Sequence, residues 1–512
     1  MSTTTNFTNK FVQAVLALSL SSFLMPACTR QANDIMAPAA MRPDIIFYAL
    51  NDNNQLARYN AQTAEMPEPS MNITGIPAGE KIISIDFRPA TGQLYGLSSG
   101  SRLYSINLNS GAATPLGAAS FTPAISGNLA SIDFNPTVDR VRLVTNTGQN
   151  LRLHPETGAV AFTDGAINGG SSPAISSIAY TNSIAGAAAT DLFDIDVNTK
   201  KLYKQTPPND GTLLEVGTIP VNFTGKGGFD INADNSVALA TLTVNGQNKL
   251  YSINTATAAA EFLADLSGNI MDIAIPTPAV AYTISDNNMF QIFNPFKANS
   301  VINKTITGLG AGESFMGIDF RPVNGQLYGI ATDNAGNAKL YTFNLSSGAV
   351  APVGTGFLIG MAATAVGFDF NPTVDRIRLV TNTGQNLRLN PNDGTIAATD
   401  GNLNPGTPMI SGAAYTNNFP GATTTVLYVL DKDKLYRQDP PNMGTLVETG
   451  PLGIVADAQN GFDIGGTSNK AYAVLTVANV TKVYNINISS VSPAASIDFP
   501  NKVKGFSIGL GF

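Results

Sequence analysis

Seven aspartates recur in short apolar segments of this chain: Asp86, Asp133, Asp230 and Asp272, then Asp319, Asp369 and Asp463. Carboxylates brought together on one axis can do two kinds of chemistry. A ring of them can hold a hard cation such as Ca²⁺, which prefers oxygen ligands. A pair about 5–10 Å apart with divergent pKa values can hydrolyse a glycosidic bond. The plainer use is to tie neighbouring strands together by accepting backbone N–H bonds or pairing with arginine. Ser507 stands where the second set would repeat Asp272. The arginines Arg140, Arg142 and Arg152, with Arg376, Arg378 and Arg388, place three cations on one hairpin, twice over. Alternation puts Arg140 and Arg142 on one face of a strand, where they would bind a planar oxyanion or pair with Asp133, Asp139 and their counterparts.

Composition narrows the chemistry further. The 512 residues hold one His, one Cys and no Trp. A Cys/His zinc site needs about four such ligands, and a Ser-His or Cys-His nucleophile could rest only on His154. Asn390 stands at the matching place in the second half, so His154 reads as a polar strand-end residue. With 29 Lys+Arg against 36 Asp+Glu the net charge is −7, which argues against nucleic-acid binding. A phosphate-cradling glycine loop and an EF-hand spacing are both missing. Asp52-Asn53-Asn54 and Asp286-Asn287-Asn288 read as hairpin turns. At 43% hydrophobic with 26 Phe and 15 Tyr, the chain can bury a large core.

The positioning elements are repeats. Asp133 to Leu153 reads DFNPTVDRVRLVTNTGQNLRL and Asp369 to Leu389 reads DFNPTVDRIRLVTNTGQNLRL, 20 of 21 positions identical at an offset of 236. The strings DFRP, GQLYG, PPN and GFDI also return at nearby offsets, so the chain divides into 44–277 and 278–512. Within each half, runs such as Leu103-Tyr104-Ser105-Ile106 alternate apolar and polar side chains between Asn/Gly-rich turns, the signature of short strands. The finer period of about 47 residues suits a four-stranded propeller blade. The expected fold is all-β: two tandem five-bladed β-propellers, with Ile270 to Ile275 and Gly505 to Leu510 supplying the strand that each first unit lacks. The rival is one ten-bladed ring, in which Asp272 to Ser285 would form an ordinary hairpin. The recurring Leu-Tyr pairs (Leu94-Tyr95 and Leu327-Tyr328 among them) read as packing between blades rather than as a sugar-stacking platform. The Asn146 to Asn150 turn reads as self-satisfied rather than glycan-displaying.

The strings DFRPATGQLYGL, DFNPTVDRVRLVTNTGQNLRL, TDG, AYTN and PPNDGTL resemble the bacterial domain-of-unknown-function family numbered 4394. The resemblance covers both halves. It implies a secreted or surface protein of propeller type and no catalytic residues.

The first residues read as an address. Phe11 to Leu24 is apolar and uncharged, short of the roughly 20 residues a membrane-spanning helix needs, and fits a secretory signal. Leu24-Met25-Pro26-Ala27-Cys28 then resembles a lipobox, with the chain's single cysteine at the acylation position. The expected layout is a lipoprotein signal over 1–27, a tether over 28–43 and two repeats. The functional expectation is an exported, outer-membrane-anchored lipoprotein, periplasmic or cell-surface, with a non-catalytic binding or scaffolding role toward a protein or glycan. The alternatives are a calcium-stabilised adhesion module and a carboxylate-based polysaccharide hydrolase. Candidate ligand-binding residues are Asp86, Asp133, Asp319, Asp369, Arg142 and Arg378. No cofactor is expected, with Ca²⁺ as the one cation the aspartates would suit.

Overall fold

The computed structural model describes residues 42–512 except 299 and 458. The signal segment, Cys28 and most of the tether fall outside the described residues. Residues Arg42–Phe512 form one compact unit. Its architecture is all-β: ten four-stranded antiparallel sheets, joined by turns and three single-turn 3-10 segments. Among the described residues no helix is long and apolar enough to cross a membrane.

Eight sheets are chain-consecutive meanders, because each strand is followed by a short turn rich in Gly and Asn. Two are not. Ile46–Asn51 pairs antiparallel with Ile270–Ala274, from the far end of the first half. Ala281–Ser285 pairs in the same way with Val503–Ile508, from the end of the chain. The segments on either side of residue 277 thus belong to two different sheets, each completed within its own half.

In the first half the leading strands are Ile82–Phe87, Ala130–Asn135, Ile175–Tyr180, Phe229–Ile231 and Ile270–Ala274. Each lies against the next, and the last lies against Ile82–Phe87. The second half repeats this succession with Ser314–Arg321, Val366–Asn371, Gly412–Tyr415, Gly461–Ile464 and Val503–Ile508, the last again touching the first.

The core lies between sheets. Tyr95, Leu97 and Leu103 of one sheet pack on Phe134, Leu143 and Leu151 of the next. Tyr95 meets Phe134 edge-on with ring centroids 5.0 Å apart, and Tyr328 meets Phe370 at 5.2 Å. The Leu-Tyr pairs therefore serve packing, and most of their tyrosines are buried. Alternation predicts half-buried strands, yet Leu94–Ser98 is buried at every position. Neighbouring sheets cover both of its faces, so small polar residues such as Ser98 are enclosed along with the leucines.

The two halves pack on each other through the turn at Arg88–Gln93. The Tyr282 hydroxyl donates to the Ala90 carbonyl at 2.8 Å, and the Gly511 amide donates to the Thr91 carbonyl at 2.9 Å. A Cβ on Gly92 would collide with the Phe512 ring at 2.2 Å, and its φ of +71° already demands glycine.

Candidate functional site

The leading strands carry the aspartates inward, and every one of the seven is buried. One carboxylate oxygen from each of Asp86, Asp133 and Asp230 lies within 4.8 Å of the others, and the same holds for Asp319, Asp369 and Asp463. Most of their oxygens accept backbone amides, many from the neighbouring sheet. Asp86 accepts the Phe134 N–H at 2.7 Å, and Asp133 accepts that of Tyr180 at 3.1 Å. Asp230 accepts from Ile275 at 2.5 Å, and Asp272 from Ile85 at 3.0 Å. In the second half Asp319 accepts from Phe370 at 2.8 Å, Asp369 from Tyr415 at 3.0 Å and Asp463 from Ile508 at 2.7 Å. The third sheet has no aspartate at this level; Ala179 and Ala414 stand there.

Crowding dry carboxyls together favours their protonated forms. Burial, then the neighbouring aspartates, push Asp86, Asp133, Asp319 and Asp369 well above the usual carboxylate range. Burial raises Asp230 and Asp463 to about 7. It raises Asp272 only to about 6, because the Lys226 ammonium pulls the other way. Lys226 is half-buried, with Nζ donating to the Ala130 carbonyl at 2.8 Å, and desolvation lowers it to about 8.

Arg142 and Arg378 are buried at identical stations. Arg142 donates to Asp164 at 2.6 Å, Asn150 at 2.8 Å, Asn209 at 2.7 Å and the Tyr180 hydroxyl at 3.2 Å. Arg378 repeats this with Asp400 at 2.7 Å, Asn386 at 2.7 Å, Asn442 at 2.8 Å and Tyr415 at 3.4 Å. Arg152 and Arg388 grip the same two aspartates through paired bonds of 2.8–2.9 Å. The expected partners, Asp133 and Asp139, are corrected here. Asp133 is cross-strand from Arg142, but the guanidinium reaches past it to the Thr-Asp-Gly and Pro-Pro-Asn turns. Those motifs return in both halves because each supplies one arm of this clamp.

Asp139 instead accepts from Arg88 at 2.9 and 2.5 Å. Arg88 is fully buried, also contacts Glu156, and reaches the Gly325 carbonyl of the other half at 3.2 Å. Sequence reading passed over Arg88; the signal was its return as Arg321 inside the repeated DFRP string. His154, half-buried, lines a cleft of about 260 Å³ between the halves with Arg140, Glu156, Gln326 and Asn344. Burial, then Arg140, lowers its pKa. In the repeated turn, Asn146 donates to Asn128 at 2.8 Å while its carbonyl oxygen accepts the amides of Asn128 and Leu129. That leaves its amide satisfied within the chain.

A duplicated set of four-stranded sheets tied by buried aspartates and arginine clamps is thus what the sequence builds. The sequence matches Domain of unknown function (DUF4394) over residues 55–274 and again over 289–507. The chain belongs to that family, carrying two tandem copies. No curated protein matches it. Among solved structures it is similar to PorZ, described as an essential bacterial surface component of the type-IX secretion system of Porphyromonas gingivalis. The identity is 12% and the TM-score 0.24, over 90% of this chain and 66% of that one.

Proposed function

We propose that the chain is a non-catalytic binding scaffold of the bacterial cell envelope, built as two five-bladed β-propellers over 44–277 and 278–512. On this reading residues 1–27 are removed, Cys28 is acylated, and 28–43 tether the rings to a membrane. The closed succession of leading strands in each half supports five blades per ring. So does the completion of each first sheet by a strand from the end of its own half, which removes the bare edge that an open array would expose. The observation that carries the functional reading is where the reactive side chains go. The aspartates accept amides of neighbouring sheets, and Arg142 and Arg378 are filled by their own turns. Rigid rings with these groups turned inward leave loops and inter-half clefts to meet a protein or glycan. Fold alone does not assign a ligand.

Two experiments test this reading. The purified chain, incubated with envelope polysaccharides and ester substrates, should release no product; turnover abolished by Asp133→Asn or Asp369→Asn overturns it. Expressed in a bacterial host, the full chain should fractionate with membranes, and Cys28→Ser should move it to the soluble fraction. Membrane retention of that variant refutes the lipid anchor.

A further inference from the structure

The axes of the two halves differ in what surrounds their carboxylates. Strand alternation places the residue two positions before each aspartate on the same face. In the first half those residues include Ser84 and Ser131, whose hydroxyls accept the Ile132 and Ile178 amides at 2.9 and 3.2 Å. Half-buried Lys226 adds an ammonium that donates to the Ala130 carbonyl and acts on Asp272. In the second half the same positions are all glycine, one on each of the five leading strands, from Gly317 to Gly505. All five strands line a pit of about 10 Å³ there, the size of one water or one ion. Exposed Gln459 stands where the first half has Lys226.

Two oxygens of this second axis lack partners among the described residues. Asp369 is 1% exposed; its Oδ1 accepts the Tyr415 amide while its Oδ2 is buried with nothing to accept from. Asn460 is 3% exposed and lines the pit; its Nδ2 donates to Ser411, and its Oδ1 is buried and unpartnered. Asn460 Oδ1 is an acceptor and Asp369 Oδ2 is one when its carboxyl is ionised, and an acceptor left dry costs free energy that a cation would recover. The one ammonium on these closing residues, Lys504, is held by the Ser314 hydroxyl at 2.9 Å.

We propose that the second half binds one divalent hard cation, Ca²⁺ by its all-oxygen donor set, between Asp319, Asp369 and Asp463, and that the first half does not. Carboxylate oxygens within 4.8 Å of one another fit around a single ion at roughly 2.3–2.6 Å from each. The pit at the glycine level gives the approach, with Asn460 Oδ1 as an oxygen along it. In the first half Lys226 already supplies positive charge at Asp272, the neighbour of this cluster, and serine hydroxyls occupy the corresponding level.

The test is calcium binding by the full chain stripped of metal, read by equilibrium dialysis and by tyrosine-sensitised Tb³⁺ luminescence. One Ca²⁺ per chain is expected, with a rise of several degrees in the melting midpoint. Asp369→Asn should weaken binding at least tenfold, and Asp133→Asn, its first-half counterpart, should leave it unchanged. Gln459→Lys changes an exposed residue and brings an ammonium to the second axis; it too should weaken binding at least tenfold, and decides the matter if Asp369→Asn does not fold. Absence of bound Ca²⁺, two ions per chain, equal loss in Asp133→Asn, or retained affinity in a folded Asp369→Asn or Gln459→Lys each overturns the proposal.

Discussion

The halves of this chain share a fold and a set of buried ties, yet they neutralise buried charge differently. The Arg142 and Arg378 clamps are superimposable in their partners, each closed by one aspartate and two asparagines. The next arginine is not treated alike. Arg88 is wholly enclosed with Asp139 and Glu156, because the second half packs over it and offers the Gly325 carbonyl. Its counterpart Arg321 pairs with Asp375 and Asn392 at a partly open surface; the arginine side chain is 12% exposed and that of Asp375 35%. A second divergence sits in the third sheet. Asp194 is buried with both carboxylate oxygens unpartnered among the described residues, where the second half has Val429 in an apolar cluster. Duplication copied the ties on which the sheets depend. Positions that each half meets in a different tertiary setting were left to diverge.

Substitutions at matched positions can break this comparison. The largest effect is expected at Arg88. Arg88→Met leaves two mostly buried carboxylates without their cation and should cost about 3–5 kcal/mol. Arg321→Met leaves a solvated partner and should cost about 1 kcal/mol. Equal losses in chemical denaturation would show that the inter-half interface does not enclose Arg88. Next comes Asp194→Val, which installs the second-half residue and should stabilise by about 1–3 kcal/mol at neutral pH. Burial raises the Asp194 carboxyl well above its usual range, with Arg142 opposing. A carboxyl raised in the folded state costs increasing stability as pH rises from its unfolded value near 4 toward its folded value. The gain over wild type should therefore grow with pH and shrink toward pH 4; a gain independent of pH would assign the effect to packing alone.

A smaller effect comes from the buried aspartates of the leading strands. Asp230 and Asp463 sit at about 7 and Asp272 at about 6 in the folded chain. Their unfolded values lie near 4, so their stabilising protonation is lost as pH rises through about 6–7. With chelator present, the melting midpoint should fall by a few degrees from pH 5 to pH 8. Lys226→Gln should enlarge that fall by removing the charge that holds Asp272 down; an unchanged profile would show that Lys226 does not act on Asp272. The smallest effect is expected at His154. His154→Asn reproduces Asn390 and should alter stability by less than about 0.5 kcal/mol. A larger loss would give His154 a role that the repeat does not share.

Much of the fold was legible from the chain. The 236-residue duplication, the Asn/Gly turns and the alternating runs mark short strands in two copies. The pairing of Ile270–Ala274 with Ile46–Asn51 is readable too, because the first unit begins without a leading strand. The inward placement of the aspartates follows from strand period. Their partners were less legible. Asp133 is the nearest acid to Arg142 along the strand ladder, and only the folded chain brings Asp164 and Asn209 to the guanidinium instead. Arg88 shows in the sequence only as one letter of the repeated DFRP string, and its importance depends on burial by residues 237 positions away.

By itself, then, the sequence determined the elements and their repetition, because strand period, turn chemistry and internal identity are local properties. The tertiary structure alone decided which charges share an enclosure. Attraction and desolvation depend on distance and on water exclusion, and these are set by chain segments far apart in sequence. That is why two identical motifs, DFRP at Asp86–Pro89 and at Asp319–Pro322, end in different electrostatic surroundings.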